Sequence, residues 1–310
     1  MNALRAAGIP ADYPAIAAAA RWLLQRRIEA PAFGASGIGE VAPCGWSFCP
    51  DGYPRPADTA LVLRTVSGIE PAGSPVIAAV TRWLAATQGR DGSWGGSAAV
   101  AGQCVLALAT SGAADPATSL AIRRGVVWLL RAQRPSGGWP GRGGSGDLLA
   151  TCAVLPALRS AGVRAGKPSI TSGVRWLLGQ QNADGGWHLG GVADPPGAGE
   201  SDAAGTSLVL SALLAAAGTG AAGAAERAAA RWLVRAQRAD GRWEEPPGAA
   251  GRSASGPTDG ILLPLAALGQ YVAGARAHDA RAQPFCPAIS QSAFSVRQEN
   301  SPIIGYRPRR

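Results

Sequence analysis

Four pairs of tryptophans stand eleven residues apart in this chain: Trp83 and Trp94, Trp128 and Trp139, Trp176 and Trp187, Trp232 and Trp243. In each pair a glutamine follows the first tryptophan by five residues, at Gln88, Gln133, Gln181 and Gln237. A glycine turn then leads to the second tryptophan, as in "RAQRPSGGW". A looser copy pairs Trp22 with Trp46 around a longer insertion, with Gln25 displaced. These copies use all ten tryptophans of the chain. Successive first tryptophans lie between 45 residues (Trp83 to Trp128) and 61 residues (Trp22 to Trp83) apart, the size of a helix pair. Self-similarity at that period marks an array whose neighbouring units bury one another's apolar faces.

Each unit carries two apolar segments of different character. The first is amphipathic, as in "AIRRGVVWLLRAQ" and "AAERAAARWLVRAQ", with apolar residues at helical spacing and arginines on the opposite side. The glycine turn ends that helix, because glycine adopts positive φ without steric cost. The second segment is apolar nearly all round, as in "LLATCAVLPALRSAG", "AAGTSLVLSALLAAAG" and "GILLPLAALGQYVAG". A helix of that kind is buried on every side. The pattern predicts an all-α fold, an α/α barrel or toroid with an outer amphipathic ring and an inner apolar ring. Five helix pairs are legible, and a sixth would draw on the N-terminal stretch and residues after Gly274. Residues 1–275 read as one toroid domain and residues 276–310, polar and proline-punctuated, as an irregular tail. With 310 residues, 47% of them hydrophobic, the chain has enough apolar material for one sizeable core.

The net charge of +9 comes almost wholly from arginine, since Lys167 is the sole lysine. Most arginines sit on the amphipathic helices, where a solvated outer face is expected. A short cluster, Arg307, Arg309 and Arg310, ends the chain. The aromatic residues belong to the structural repeat and not to a basic stacking platform, so no nucleic-acid partner is expected. Five cysteines without a CxxC spacing read as free thiols. No apolar run reads as a leader or a membrane span. The expectation is a cytoplasmic protein, with peripheral contact with a membrane left open. No P-loop, no dinucleotide fingerprint and no zinc-ligand set is present, so no cofactor and no metal are expected. Of the two histidines, His188 reads as a surface turn residue and His278 as part of the tail.

Four aspartates, Asp58, Asp147, Asp202 and Asp259, stand at or near the starts of the inner helices. The structural reading makes each an N-cap, accepting backbone N–H groups at the positive end of a helix. The functional reading makes them a ring of carboxylates around one mouth of the barrel. The two are compatible, because the repeat puts all four starts at one end.

The unit "RGVVWLLRAQRPSGGW" resembles the QW repeat of the triterpene cyclases, the squalene–hopene and oxidosqualene cyclase family. The resemblance runs from about Ala17 to Gly274 and covers one barrel, the catalytic one, of that family's two. It implies that the Gln and Trp tie each outer helix to its neighbour and stiffen the barrel against an exothermic cyclisation. "GWSFCPDGYPRPADTALVL" lies where the family carries its DxDDTA stretch, and "PTDGILLPLAALGQYVAG" resembles its closing segment. The family's DxDD tetrad then falls on Arg55, Pro56, Ala57 and Asp58, so the proton donor's position is Ala57. Asp58 remains as the candidate acid. Arg55 beside it favours the ionised carboxylate. Glu40, Asp51 and Tyr53 lie in the same insertion. Trp46, Phe48 and Tyr53 are the candidate aromatic wall for a substrate, with Arg55 and the aspartates Asp147, Asp202 and Asp259 at the mouth. The closing helix has Leu262, Leu263 and Pro264 where the family often has aromatics.

A second family with this fold, the prenyltransferase β subunits, binds zinc through Asp, Cys and His. Asp147 and Cys152 match its flavour, but Ala150 stands at its histidine position. Three functions therefore follow from the residues. The first is protonation-initiated cyclisation of an isoprenoid, with Asp58 donating or relaying the proton. The second is an isoprenoid-binding toroid without chemistry. The third is a pathway enzyme of another class, prenyltransferase-like. The first is preferred.

Overall fold

A computed structural model describes residues 1–29, 41–48, 52–71, 73–141, 146–189, 199–216, 223–244 and 259–278. The short helix α1 (Asn2–Ala6) precedes five helix pairs. The outer members are α2 (Pro14–Gln25), α4 (Pro75–Ala86), α6 (Pro116–Ala132), α8 (Pro168–Leu178) and α10 (Gly223–Ala236). The inner members are α3 (Pro56–Val66), α5 (Ala98–Thr110), α7 (Gly146–Ser160), α9 (Ala203–Ala216) and α11 (Asp259–His278). Inner helices pack successively, α3 on α5, α5 on α7 and α7 on α9, while α4, α6, α8 and α10 cover them from outside. The fold is the α/α toroid that the repeat predicts. No described helix is long and apolar enough to cross a membrane.

Local sequence sets the helix starts. Proline opens α2, α3, α4, α6 and α8, where its fixed φ suits the first helical turn and its missing N–H costs nothing. Asp115 caps α6 by accepting the Thr118 N–H at 2.9 Å. The inner helices approach one another closely where side chains are small. A Cβ at Gly102 would stand 2.9 Å from the Ala153 backbone, so α5 and α7 touch there with no side chain between them.

The repeated residues fasten the outer wall. The indole N–H of the second tryptophan always donates to the carbonyl of the leucine that follows the first. Trp94 reaches Leu84 at 2.9 Å, Trp139 Leu129 at 2.7 Å, Trp187 Leu177 at 2.8 Å and Trp243 Leu233 at 2.7 Å. Trp46 reaches Leu23 at 2.7 Å, so the loose first copy obeys the same rule despite its insertion. These carbonyls lie in the last turn of the outer helix, where acceptors outnumber backbone donors, and the indole supplies one donor more. Trp22, the outer member of that copy, is 54% exposed under the Arg26 guanidinium.

The glutamine joins one unit to the next. Gln133 Nε2 donates to Gly137 O at 2.7 Å within its own turn and to Ser169 O of α8 at 2.9 Å. Gln88 does the same with Gly92 and Ala121 of α6, and Gln181 with Gly185 and Ala225 of α10. The positive-φ glycine of each turn rests three residues further along that same helix. A Cβ at Gly92 would lie 2.7 Å from Arg124 O, and one at Gly185 3.0 Å from Ala228 Cβ. Gly137 meets Ser172 in the same way. Gln237 is exposed, and among the described residues its side chain bonds only Gly241 O, at 3.0 Å. Gln133→Ala is therefore expected to cost about 1–3 kcal/mol, as it removes a donor from Gly137 O and unties the turn from α8, and Gln237→Ala less than about 1 kcal/mol. Urea unfolding of the two variants measures the difference, and equal costs would show that the link between units is not what stabilises the wall.

At the start of the ring, α1 lies against both ends of the array. Asn2 Nδ2 donates to Thr65 Oγ1 of α3 at 3.0 Å, and Gly269 of α11 approaches the Ala6–Ala7 backbone. The N-terminal stretch thus bridges the first and last inner helices, as expected of a closing piece. Residues Met1–Gly274 form one compact unit and Ala275–Arg310 a second, of which the described part is the last turn of α11. The proposed tail lies otherwise outside the described residues. A two-residue clip that the sequence does not suggest pairs β1 (Ile28–Glu29) with β2 (Cys44–Gly45), antiparallel, Ile28 opposite Gly45. It holds the base of the first insertion. Cys44, Cys104 and Cys152 are buried free thiols, and burial pushes all three pKa values up.

Candidate functional site

The starts of the inner helices are bound to the tryptophan turns by two recurrent bonds. The first uses a buried threonine. The backbone N–H of Trp46, Trp139 and Trp187 donates to the hydroxyls of Thr59, Thr151 and Thr206 at 3.0, 3.0 and 2.9 Å. The second uses the aspartates. The N–H two residues after the tryptophan donates to a carboxylate: Phe48 to Asp58 at 3.0 Å, Gly141 to Asp147 at 2.8 Å, Leu189 to Asp202 at 2.7 Å. Three of the four aspartates therefore do the same job at the same end of the array, each securing the chain that leads into its inner helix. Asp202 also caps α9, accepting the Gly205 N–H at 2.6 Å. Asp58 does not cap its helix: the N-cap position of α3 is Arg55, whose side chain makes no cap bond. Asp259 is the first residue of α11, and its side chain lies outside the described residues, as do Glu40 and Asp51.

The three carboxylates differ in their second partners. Asp147 is ion-paired with Arg134. Asp202, 5% exposed, faces His188 Nδ1 at 3.1 Å. His188 is thus a half-buried partner of an inner-helix carboxylate and not the surface turn residue expected, because Asp202 at the start of α9 lies against its ring. Asp58 is half-buried. Its carboxylate is reached by the first insertion through Phe48. Arg55 contributes its backbone there, its N–H donating to Trp46 O at 2.9 Å and its carbonyl accepting from Thr59.

The candidate aromatic wall divides. Trp46 is buried in the core, its indole used as in the other units. Phe48 and Tyr53 are 63% and 66% exposed on the insertion beside Asp58.

The inner helices α3, α5, α7 and α9 each keep one stripe partly exposed while their other faces are mostly buried, and α11 is buried at Pro264 and Ala267. The stripes run at three- and four-residue spacing: Asp58, Leu61 and Arg64 on α3; Val100 and Gln103 on α5; Leu149, Ala153 and Pro156 on α7; Ala204, Leu208 and Ser211 on α9; Leu262 and Ala266 on α11. Leu61 is 47% exposed although it lies on an inner helix. Outer helices cover the far side, so these stripes border the hollow. Its wall is aliphatic, with few polar groups, and Asp58 lies on it one turn from Leu61. Sequence reasoning named Asp58 but missed the threonines and Arg64. A threonine one to four residues after Asp58, Asp147 and Asp202 was the available signal for the threonines.

Residues 1–98 and 96–254 match the family of the squalene-hopene cyclase C-terminal domain. The chain is 36% identical over 279 aligned residues to the squalene–hopene cyclase of Alicyclobacillus acidocaldarius. The alignment covers 79% of this chain and 44% of that protein, so the chain spans less than half the length of this relative. Among solved structures, the type II terpene cyclase MstE from Scytonema is similar, with a TM-score of 0.60 and 17% identity over 89% of this chain and 86% of that one. A variant of MstE has been solved with its substrate, geranylgeranyl dihydroxybenzoate. A polysaccharide lyase is similar as well, with a TM-score of 0.62 and 12% identity over 91% of this chain and 92% of that one. At such identities the likeness is one of fold, and the same toroid serves unrelated chemistry.

Proposed function

Because the chain belongs to the squalene–hopene cyclase C-terminal domain family, we propose that it holds an isoprenoid chain in the hollow of its toroid and cyclises it by protonation, with Asp58 as the acid. The observation that carries this reading is the placement of Asp58 on the uncovered stripe of α3, beside Leu61 and at the end where the first insertion arrives. One oxygen, Oδ2, is taken by the Phe48 N–H. The proton to be given rides on the other. Its addition to a terminal alkene or epoxide of the substrate generates a cation, which the next double bond attacks to close a ring. Loss of a proton ends the reaction, so the product of an alkene substrate is an isomer of it and the carboxyl group is restored. Aliphatic walls serve this chemistry by offering no nucleophile to the cation and by excluding water. The substrate that MstE binds supports the choice of an isoprenoid. We place the site within the toroid domain, residues 1–275.

A second reading, an isoprenoid-binding toroid without turnover, is favoured by Ala57 at the family's donor position and by the shared structural bond of Asp58, Asp147 and Asp202. Incubation of the purified chain with squalene, oxidosqualene, farnesyl and geranylgeranyl compounds, followed by mass spectrometry of products and of bound ligand, separates the two. A cyclised product supports the first reading. A bound isoprenoid without product supports the second, and neither bound ligand nor product overturns both.

A further inference from the structure

Arg64 stands apart from every other charged side chain of the inner wall. It follows Leu61 by three residues and Asp58 by six, on the exposed side of α3 away from the buried Val66. Among the described residues its guanidinium has neither a hydrogen-bond acceptor nor a carboxylate partner. Arg159 on α7 donates to Val163 O at 2.7 Å. Arg64 is open to solvent, yet surrounding protein desolvates it and lowers its pKa. An arginine without a carboxylate partner on a largely aliphatic wall offers an oxyanion its parallel N–H groups.

Resting on the isoprenoid reading above, we propose that Arg64 binds the head group of the ligand, and that this head is a monoanionic oxyanion, a carboxylate. A planar guanidinium engages a carboxylate through two parallel N–H bonds. A diphosphate would call for more positive charge than one arginine gives, and among the described residues no group of side chains is placed to hold a metal ion. Asp58 and Arg64 are about 9 Å apart along the helix axis. A ligand anchored at Arg64 therefore turns its hydrocarbon tail toward Asp58, so that the end remote from the head is the one protonated.

The test compares three ligands of one chain length, geranylgeraniol, geranylgeranoic acid and geranylgeranyl diphosphate, titrated into the full chain by calorimetry. The wild type is expected to bind the acid about 10- to 100-fold more tightly than the alcohol. Arg64→Gln should bring the acid down to the alcohol's level and leave the alcohol unchanged, and Arg64→Lys should keep part of the preference. An arginine serving only the α3 C-terminus would lower the thermal midpoint in Arg64→Gln without changing ligand preference, and that result overturns the proposal. So does an acid that binds no better than the alcohol. Diphosphate binding more tightly than the acid, and lost in Arg64→Gln, overturns the assignment of a monoanion. If the alcohol binds and only the preference is missing, the isoprenoid reading survives without the Arg64 site. If none of the three binds, both fall.

Discussion

Replacing Trp139 with alanine should lower the unfolding free energy by about 3–5 kcal/mol, the cost of emptying a large aromatic site in a packed interior. The indole is fully buried between its own outer helix and the next. A Cβ at Gly173 of α8 would lie 2.8 Å from its ring, so the ring rests directly on that helix. Its N–H satisfies Leu129 O and its backbone N–H engages Thr151. Alanine leaves a cavity, orphans the leucine carbonyl and loosens α6 from α8 together. Trp139→Phe should keep most of the buried area and lose only the indole bond, for about 1–3 kcal/mol. Trp22→Ala, at a half-exposed ring, should cost less than about 1 kcal/mol. Denaturant midpoints of the three variants at constant slope give the ranking. A Trp139→Ala midpoint close to that of Trp22→Ala would remove the turn tryptophans from their part in holding the wall.

Asp58→Asn should reduce product formation by about 10²–10⁴-fold, the usual contribution of a positioned acid. This change isolates the proton. The asparagine amide oxygen can still accept the Phe48 N–H, so the link between the insertion and α3 survives. Ligand binding and thermal midpoint should stay near those of the wild type. Asp184→Asn, on an outer turn, provides the contrast. That carboxylate sits away from the hollow, where burial pushes its pKa up but bonds from Gly186, Ser201 and Trp232, with the Arg235 charge, hold it below the ordinary carboxylate range. Its loss should show in stability and leave turnover alone. Undiminished product from Asp58→Asn would exclude Asp58 as the acid.

The toroid was legible because its fastenings are periodic in sequence. Trp, Gln and Gly hold fixed offsets within a unit, and each offset maps onto one recurring bond. The invariant Trp–Leu dipeptide even contains the indole's acceptor. The threonines behind the turns were missed because the chain between them and their tryptophans varies, from 12 residues at Trp139 to 19 at Trp187. The aspartates were found as helix starts but not placed in register. Asp147 and Asp202 lie four residues before their threonines, whereas Asp58 immediately precedes Thr59. Its carboxylate reaches the same kind of N–H from further along the helix, and that shift carries it toward the uncovered stripe. Arg64 was hidden by its residue type. An arginine near a helix end reads as solvated, and only the packing of α3 against its neighbours shows which side of the helix it occupies.

The glutamine links run along the outside, from Gln88, Gln133 and Gln181 to the helix that follows, and nothing in that girdle depends on what faces the centre. Mechanical duty and chemical duty thus fall on different residues. Exposed positions such as Leu61, Leu149 and Leu262 can drift one at a time without unbuckling the hoop. A lineage built this way can change its diet by single substitutions while keeping its frame.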